Sequence, residues 1–245
     1  MAFSDLVLKI QTDLSRLAFF PGRLDGLMGD RTQSALDQAR QRYGLHASSL
    51  PEASEMLAGV VLIERMGALM LNADEFAAMF PYAPADYLDH LNESLLEGSL
   101  NRDWAEMFLA QLGHESAGLR YFEEIASGQA YEGRRDLGNT EPGDGRRYKG
   151  RGPIQLTGRA NYRRFGMLLG LDLEGDPEMA AHADVGFRVA VMYWTDRNLN
   201  GEADRGGEAA FKRVTRAING GYNGYDDRVR WLTKIRKILE DGPNG

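Results

Sequence analysis

The chain has 245 residues, 43% hydrophobic and 27% charged with 8 prolines, which suits one large domain or a small module plus a medium one and carries no disorder or low-complexity bias. Its formal net charge of -7 argues against a nucleic-acid binder, whose affinity rests on an excess of Lys and Arg facing phosphates. The absence of cysteine excludes a disulfide framework and thiol chemistry and weakens any zinc-site reading.

Plentiful Ala, Leu, Glu and Arg, with few alternating runs, predict a mostly α-helical protein. Between Met1 and Ile10 no basic segment precedes a long apolar core, so no secretory signal is expected and the chain reads as kept in the cytoplasm until released. Leu6, Ile10, Leu14 and Leu17 follow helical spacing. Residues 20–26 (Phe-Pro-Gly-Arg-Leu-Asp-Gly) read as turns, and Asp30 or Thr32 can cap a second helix holding Ala35, Leu36, Ala39 and Tyr43, which Gly44 stops. From this point the segment FFPGRLDGLMGDRTQSALDQARQRYGL resembles the small three-helix peptidoglycan-binding module attached to many bacterial cell-wall hydrolases. The resemblance covers about 45 residues and rests on the spacing of Asp25-Gly26, Gly29, Thr32 and Ala35. It implies a wall-binding module over residues 1–48, with Phe20, Arg23, Asp25, Gly26, Arg31 and Thr32 at its ligand.

Residues 49–74 are expected to connect this module to the rest. His46 to Ser54 has the composition of a linker, whereas Leu57 to Leu71 is apolar enough for a buried helix. The latter run is broken by Glu64-Arg65 and too short to span a bilayer. Asp74 to Ala83 then starts an amphipathic pattern with Phe76, Met79 and Phe80 on one face, and Tyr87, Leu91, Leu95 and Leu96 give another.

Trp104, Met107, Phe108, Gln111 and Leu112 fall on one stripe of a helix, and Glu115 continues it. A carboxylate ending a core-facing stripe is expected to be partly desolvated, which raises its pKa and suits it to act as a general acid. His114 beside it lacks the second His of a zinc-binding helix and points elsewhere, so it reads as structural. The Gly-rich stretch Tyr148 to Tyr162 lacks the spacing of a phosphate loop. Between Arg134 and Arg164, nine Lys or Arg stand against Asp136, Glu141 and Asp144, a basic segment able to face an anionic polymer.

The segments LAQLGHESAGLRYFEE, YEGRRDLGNTEPGDGRRYKGRGPIQLTGRANYRRFG and AINGGYNG occur in that order. Together they resemble the chitinase-related, lysozyme-like catalytic domain of family-nineteen glycoside hydrolases, in the version found in phage endolysins. The resemblance covers roughly residues 75–241 and implies a catalytic domain over residues 75–245, with a mostly α lysozyme-like fold and at most a minor β element. It implies Glu115 as the acid, with Glu132 or Glu124 as the second carboxylate. Each of these two has the alternative of being a salt-bridge partner for Arg120, Arg134 or Arg135. Tyr148, Arg151, Gln155, Thr157, Asn161 and Asn219 are implied at the sugar, although packing is an equal reading for Tyr148, Arg151 and Tyr162. Arg228 or Arg230 is implied to orient a catalytic carboxylate. Where plant-type chitinases carry further acidic residues, this chain has Asn223-Gly224-Tyr225-Asp226-Asp227, which weakens a chitinase assignment.

Glycosidic cleavage needs a carboxyl that protonates the leaving oxygen and an anion that activates water or stabilises the transition state. The two resemblances together imply a monomeric endolysin without cofactor or metal. It would hydrolyse peptidoglycan between N-acetylmuramic acid and N-acetylglucosamine, with no nucleic-acid partner and no membrane anchor. Such a protein would wait in the host bacterial cytoplasm until a holin gives it access to the wall. A lytic transglycosylase or a chitinase using the same Glu, and a non-catalytic wall-binding protein, are the alternatives.

Overall fold

A computed structural model describes residues 3–20, 22–43, 45, 47–65 and 67–242. Pro21, Gly44 and His46, which the sequence assigns to a turn, a helix stop and the start of a linker, lie outside these residues. Helix dominates, as composition predicts. In chain order the helices are α1 (Phe3–Arg16), α2 (Asp30–Tyr43), α3 (Leu50–Arg65), α4 (Ala73–Met79), α5 (Tyr87–Glu97) and α6 (Arg102–Glu115). After a long loop come α7 (Asp144–Arg147), α8 (Arg159–Leu169), α9 (Ala183–Asp196), α10 (Leu199–Ala203), α11 (Gly207–Asn219) and α12 (Tyr225–Asp241). Among the described residues the β structure is limited to isolated bridges, Ala68 with Asn101, Glu123 with Arg151 and Arg151 with Leu156.

The chain forms two compact units. The first comprises Met1–Leu69, Leu95–Met107 and Trp194–Asn223. Its α1 packs against α2, α3 and α10, burying Val7, Ile10 and Leu14 with Leu36, Ala39, Ala53 and Leu57. Polar bonds tie the N-terminal helices to the 194–200 segment. The Ser15 hydroxyl donates to the Thr195 carbonyl. Asn200 accepts from the Trp194 indole at 2.6 Å and donates to the Arg16 carbonyl at 2.9 Å.

α3 begins at Leu50, inside the expected linker, because Ser48, Ser49 and Pro51 make a helix start. Glu52 accepts from the Ser48 amide at 2.7 Å, its own amide meets the Ser49 hydroxyl at 3.4 Å, and Pro51 sits in the first turn, where its missing N–H costs nothing.

The second unit comprises Met70–Ser94, Phe108–Tyr193 and Gly224–Gly245. α4 is set by an Asn72/Glu75 capping box, each side chain bonding the other's amide at 2.9 and 3.0 Å, and it buries Phe76 and Met79. Tyr87, Phe122 and Phe187 form an aromatic triangle with centroids 4.7 to 5.9 Å apart. The stripe expected on α6 is too narrow a description. Ala105, Leu109 and Ala110 are buried as completely as Phe108 and Leu112, so burial on this helix extends beyond the one stripe.

The C-terminal end of α6 is fixed by α12. Trp231 stacks on Phe80 at 5.7 Å and lies so close to Gly113 that a Cβ there would come within 2.6 Å of the indole. Only glycine admits this approach, and it sets the position of the next two residues, His114 and Glu115.

Candidate active site

Glu115 ends α6 with its side chain 18% exposed. Its carboxylate does not face apolar surface, as the stripe implies, but the guanidinium of Arg228 at 2.5 Å. Arg228, on the first turn of α12, is fully buried and also donates to the side-chain oxygen of Gln111, one turn before Glu115. Gln111 is itself fully buried. A buried guanidinium with both forks occupied is a rigid holder, so Glu115 has one fixed orientation. Of the two arginines open to this role in the sequence, Arg230 instead pairs with Asp227 at 2.8 Å.

His114 braces the same corner. Its Nδ1 is 2.8 Å from Asp227 Oδ2. Burial opposes the charge on Asp227, yet hydrogen bonds from His114 and Arg230 hold its carboxyl below the usual range. An ionised Asp227 accepts, so His114 Nδ1 carries the proton. Gly224, at φ +68°, leaves room for the imidazole where a Cβ would collide with it.

Past Glu115 the chain turns at once. Ser116 closes the helix by accepting from the Leu119 amide and donating to the Leu112 carbonyl, and Phe122 to Glu124 then run beside Gly150 to Gly152. The Gly152 amide donates to Phe122 O at 2.8 Å and the Glu124 amide to Gly150 O at 2.9 Å. This short ladder brings Glu124 against the Gly-rich loop. Its carboxylate accepts from the Gly150 amide and the Tyr131 hydroxyl, both at 3.1 Å. Burial and then the bond to Glu124 raise the Tyr131 pKa, keeping its hydroxyl a donor.

Gln155 completes this group. A Cβ on Gly150 would lie 2.7 Å from its side-chain oxygen and 3.3 Å from Glu124. Gln155 has φ +55°, a left-handed conformation that a non-glycine residue adopts at a cost and that concentrates at functional sites. Thr157 donates to the Gln155 carbonyl at 2.9 Å and Asn161 to the Thr157 carbonyl at 2.7 Å. All three are half-buried, so they line a surface and are held by the loop's own backbone.

Glu132 is placed differently. It is exposed, and its two oxygens accept from the Gly143 amide at 2.7 Å and the Gly145 amide at 2.9 Å, capping the short α7. Glu124 and Glu132 thus bond to amides and a hydroxyl, not to the arginines of the alternative reading, and Arg134 pairs with Asp136.

Tyr148 and Arg151, expected at the sugar, are only 2% and 3% exposed. Tyr148 donates to Glu174 O and packs on Tyr162, while Arg151 donates to the Arg147 carbonyl and the Tyr162 hydroxyl. Arg151 also pairs with Glu178 at 3.3 Å, so both side chains bond within the protein. Tyr162 is fully buried, and burial pushes its hydroxyl's pKa far up against the opposing Arg151 bond.

Several cations of the basic segment are paired, although Arg134, Arg135, Arg146, Arg147 and Arg163 stay exposed. Arg134, Lys149, Arg151, Arg159 and Arg163 all form ion pairs. Glu174 takes Arg163 at 2.6 and 2.7 Å and Arg159 at 2.8 Å, which lowers its pKa to about 2. These pairs brace the loop. Asn219 is exposed at the end of α11 and belongs to the first unit.

In the first unit an open groove of about 520 Å³ lies over the 20–32 segment, and Phe20, Arg23, Asp25, Arg31 and Thr32 line it. Sequence reading missed its organiser, Gln11, which is 1% exposed. Gln11 donates to Asp25, the Leu27 carbonyl and Thr32 at 2.9 to 3.0 Å, and accepts from the amides of Asp25 and Gly26. Gly26 has φ +70°, and a Cβ there would meet the Ser4 carbonyl at 2.9 Å. A polar residue inside the apolar face of α1 is the signal that could have found Gln11. Among the described residues no cluster suits a metal ion, and no helix is long and apolar enough to cross a membrane.

Residues 101–204 match the glycoside hydrolase family 19 model described as chitinase class I. A glycosyl hydrolase family 19 domain-containing protein of Haemophilus influenzae is 31% identical over 194 residues, covering 66% of this chain and 94% of that protein. An endochitinase of Arabidopsis thaliana is 38% identical over 126 residues, 51% of this chain and 42% of the endochitinase. The chain spans half or less of the length of the plant endochitinases it matches. The crystal structure of chitinase C from Streptomyces griseus superposes with a TM-score of 0.58 at 25% identity, covering 70% of this chain and 93% of that one. The similarity to the Haemophilus protein spans nearly its whole length and takes in the Glu115 helix, the Gly-rich loop and their surroundings, and so the chain belongs to glycoside hydrolase family 19.

Proposed function

We propose that this family 19 glycosidase is a modular endolysin that hydrolyses the glycan strand of peptidoglycan between N-acetylmuramic acid and N-acetylglucosamine. The observation that carries the choice of polymer is the N-terminal groove, lined by five of the six residues that the wall-binding resemblance singles out. Glu115 is the general acid, oriented by Arg228 and Gln111. It gives its proton to the leaving oxygen as the bond to the anomeric carbon breaks.

Glu124 is the better second carboxylate. Its two oxygens accept from the Gly150 amide and the Tyr131 hydroxyl, beside the Gln155 side chain of the Gly-rich loop, whereas the two oxygens of Glu132 are held by the amides of Gly143 and Gly145 at the start of α7. Glu124 takes a proton from the water that attacks the anomeric carbon, and Gln155 and Thr157 orient that water. Asn161 and Asn219 are assigned to the sugar. Access to the wall from the cytoplasm requires a holin.

Chitin is the second reading, favoured by the chitinases among the relatives. Mass spectrometry of products from purified peptidoglycan and from soluble chitin separates the readings. Reducing-end N-acetylmuramic acid is expected; faster release of chito-oligomers supports the chitinase, and 1,6-anhydro ends a transglycosylase.

A further inference from the structure

Next to the N-terminal groove, in the same compact unit, lies a second one of about 390 Å³. One wall is α2, with Asp30, Arg31 and Gln38; the other is the 198–205 segment, with Asn198, Glu202 and Arg205. Asp30 and Arg31 line both grooves, so the two are neighbours around the start of α2. Both volumes are in the range of ligand sites, roughly 300 to 1,000 Å³.

The walls are rigid. Ala18 and Asn198, facing each other across the floor, both hold left-handed backbones with φ of 65° and 50°. Hydrogen bonds of the turns fix them, from the Phe19 amide to Leu14 O at 2.8 Å and from the Asn198 amide to Thr195 O at 2.9 Å. Gly201 lets the two segments touch, since a Cβ there would come within 3.2 Å of the Ala18 carbonyl. Such pre-organisation lowers the entropic cost of binding. Glu202 is pinned by Arg213 at 2.7 Å and holds Arg205 at 3.6 Å, which sets the Arg205 guanidinium at the rim. The second groove therefore offers guanidinium groups, Arg31 and Arg205, beside a carboxylate, Asp30.

We propose that this second groove is a further subsite for the cell wall, taking the stem peptide of a strand whose neighbouring part occupies the first groove. Stem peptides carry free carboxylates and amino groups, and both find an opposite charge here. The inference rests on the wall-binding reading of the first groove, and adds that residues 198–205 of the hydrolase segment belong to the binding surface.

The test is co-sedimentation of the full chain with purified peptidoglycan sacculi at low salt, comparing wild type with Arg205→Glu, Arg205→Lys and Gln38→Trp, with thermal unfolding to check the fold. The expected result is a five-fold or greater weakening for Arg205→Glu and Gln38→Trp, near-normal binding for Arg205→Lys, and an unchanged melting temperature. Normal binding by Arg205→Glu and Gln38→Trp, while Arg23→Glu in the first groove loses binding, overturns the second subsite and leaves the first. Failure of the wild type to sediment overturns both.

Discussion

Arg228, with no exposed surface, joins Gln111 and Glu115 on successive turns of α6. Burying a guanidinium is costly unless its donors are met, and here the side chains that meet them belong to the helix that presents the proposed acid. Removing Arg228 strips Glu115 and Gln111 of the same partner. Arg228→Ala is expected to cost about 3 to 5 kcal/mol, read by chemical denaturation. Arg228→Lys keeps the charge but loses the fork, and its turnover on purified peptidoglycan should fall at least ten-fold with the fold retained.

Gly113 carries the second constraint on that helix end. The Trp231 indole occupies the place of a Cβ, so Gly113→Ala overpacks the corner and should destabilise by ~1 to 3 kcal/mol despite the better helix propensity of alanine. Thermal unfolding checks this; an alanine variant as stable as wild type would contradict the packing.

The brace around Glu174 predicts a pH dependence. Its hydrogen bonds to Arg163 and Arg159 lower its carboxyl pKa from the ordinary 4.5 to about 2. A carboxylate held below its unfolded value stabilises the fold fully above that value and loses this contribution as pH falls through the folded one. Stability should therefore decline between pH 4.5 and 2, and Glu174→Gln should flatten that part of the curve. An unchanged slope in the variant would remove Glu174 from the account.

Gln11 gives a prediction for the N-terminal groove. With five hydrogen bonds to residues 25–32, Gln11→Leu leaves the amides of Asp25 and Gly26 without their side-chain acceptor, at about 1 to 3 kcal/mol. Affinity for sacculi should drop with it. Intact affinity at reduced stability would show that the groove's shape does not govern binding.

The helical class and the position of α6 are legible in the sequence because they follow from composition and local spacing. Glu115 can be found by the same means, as the last residue of a buried stripe. Its environment cannot, because Arg228 reaches it from 113 residues away and nothing local marks one arginine of α12 over another. The basic segment misleads for a related reason. Summed charge says nothing about pairing, and Glu174, which neutralises two of its arginines, lies outside the counted window. Tyr148 and Arg151 look like sugar ligands by type, and nothing local in the sequence marks their burial among Tyr162, Glu174 and the Arg147 carbonyl.

The role of Glu115 is tested most directly by the initial rate of Glu115→Gln on purified peptidoglycan, measured beside the wild type with the fold verified. Loss of the proton donor should reduce turnover by roughly 10²-fold or more, while binding to sacculi stays intact. A folded Glu115→Gln protein that cleaves the glycan at the wild-type rate would contradict the account.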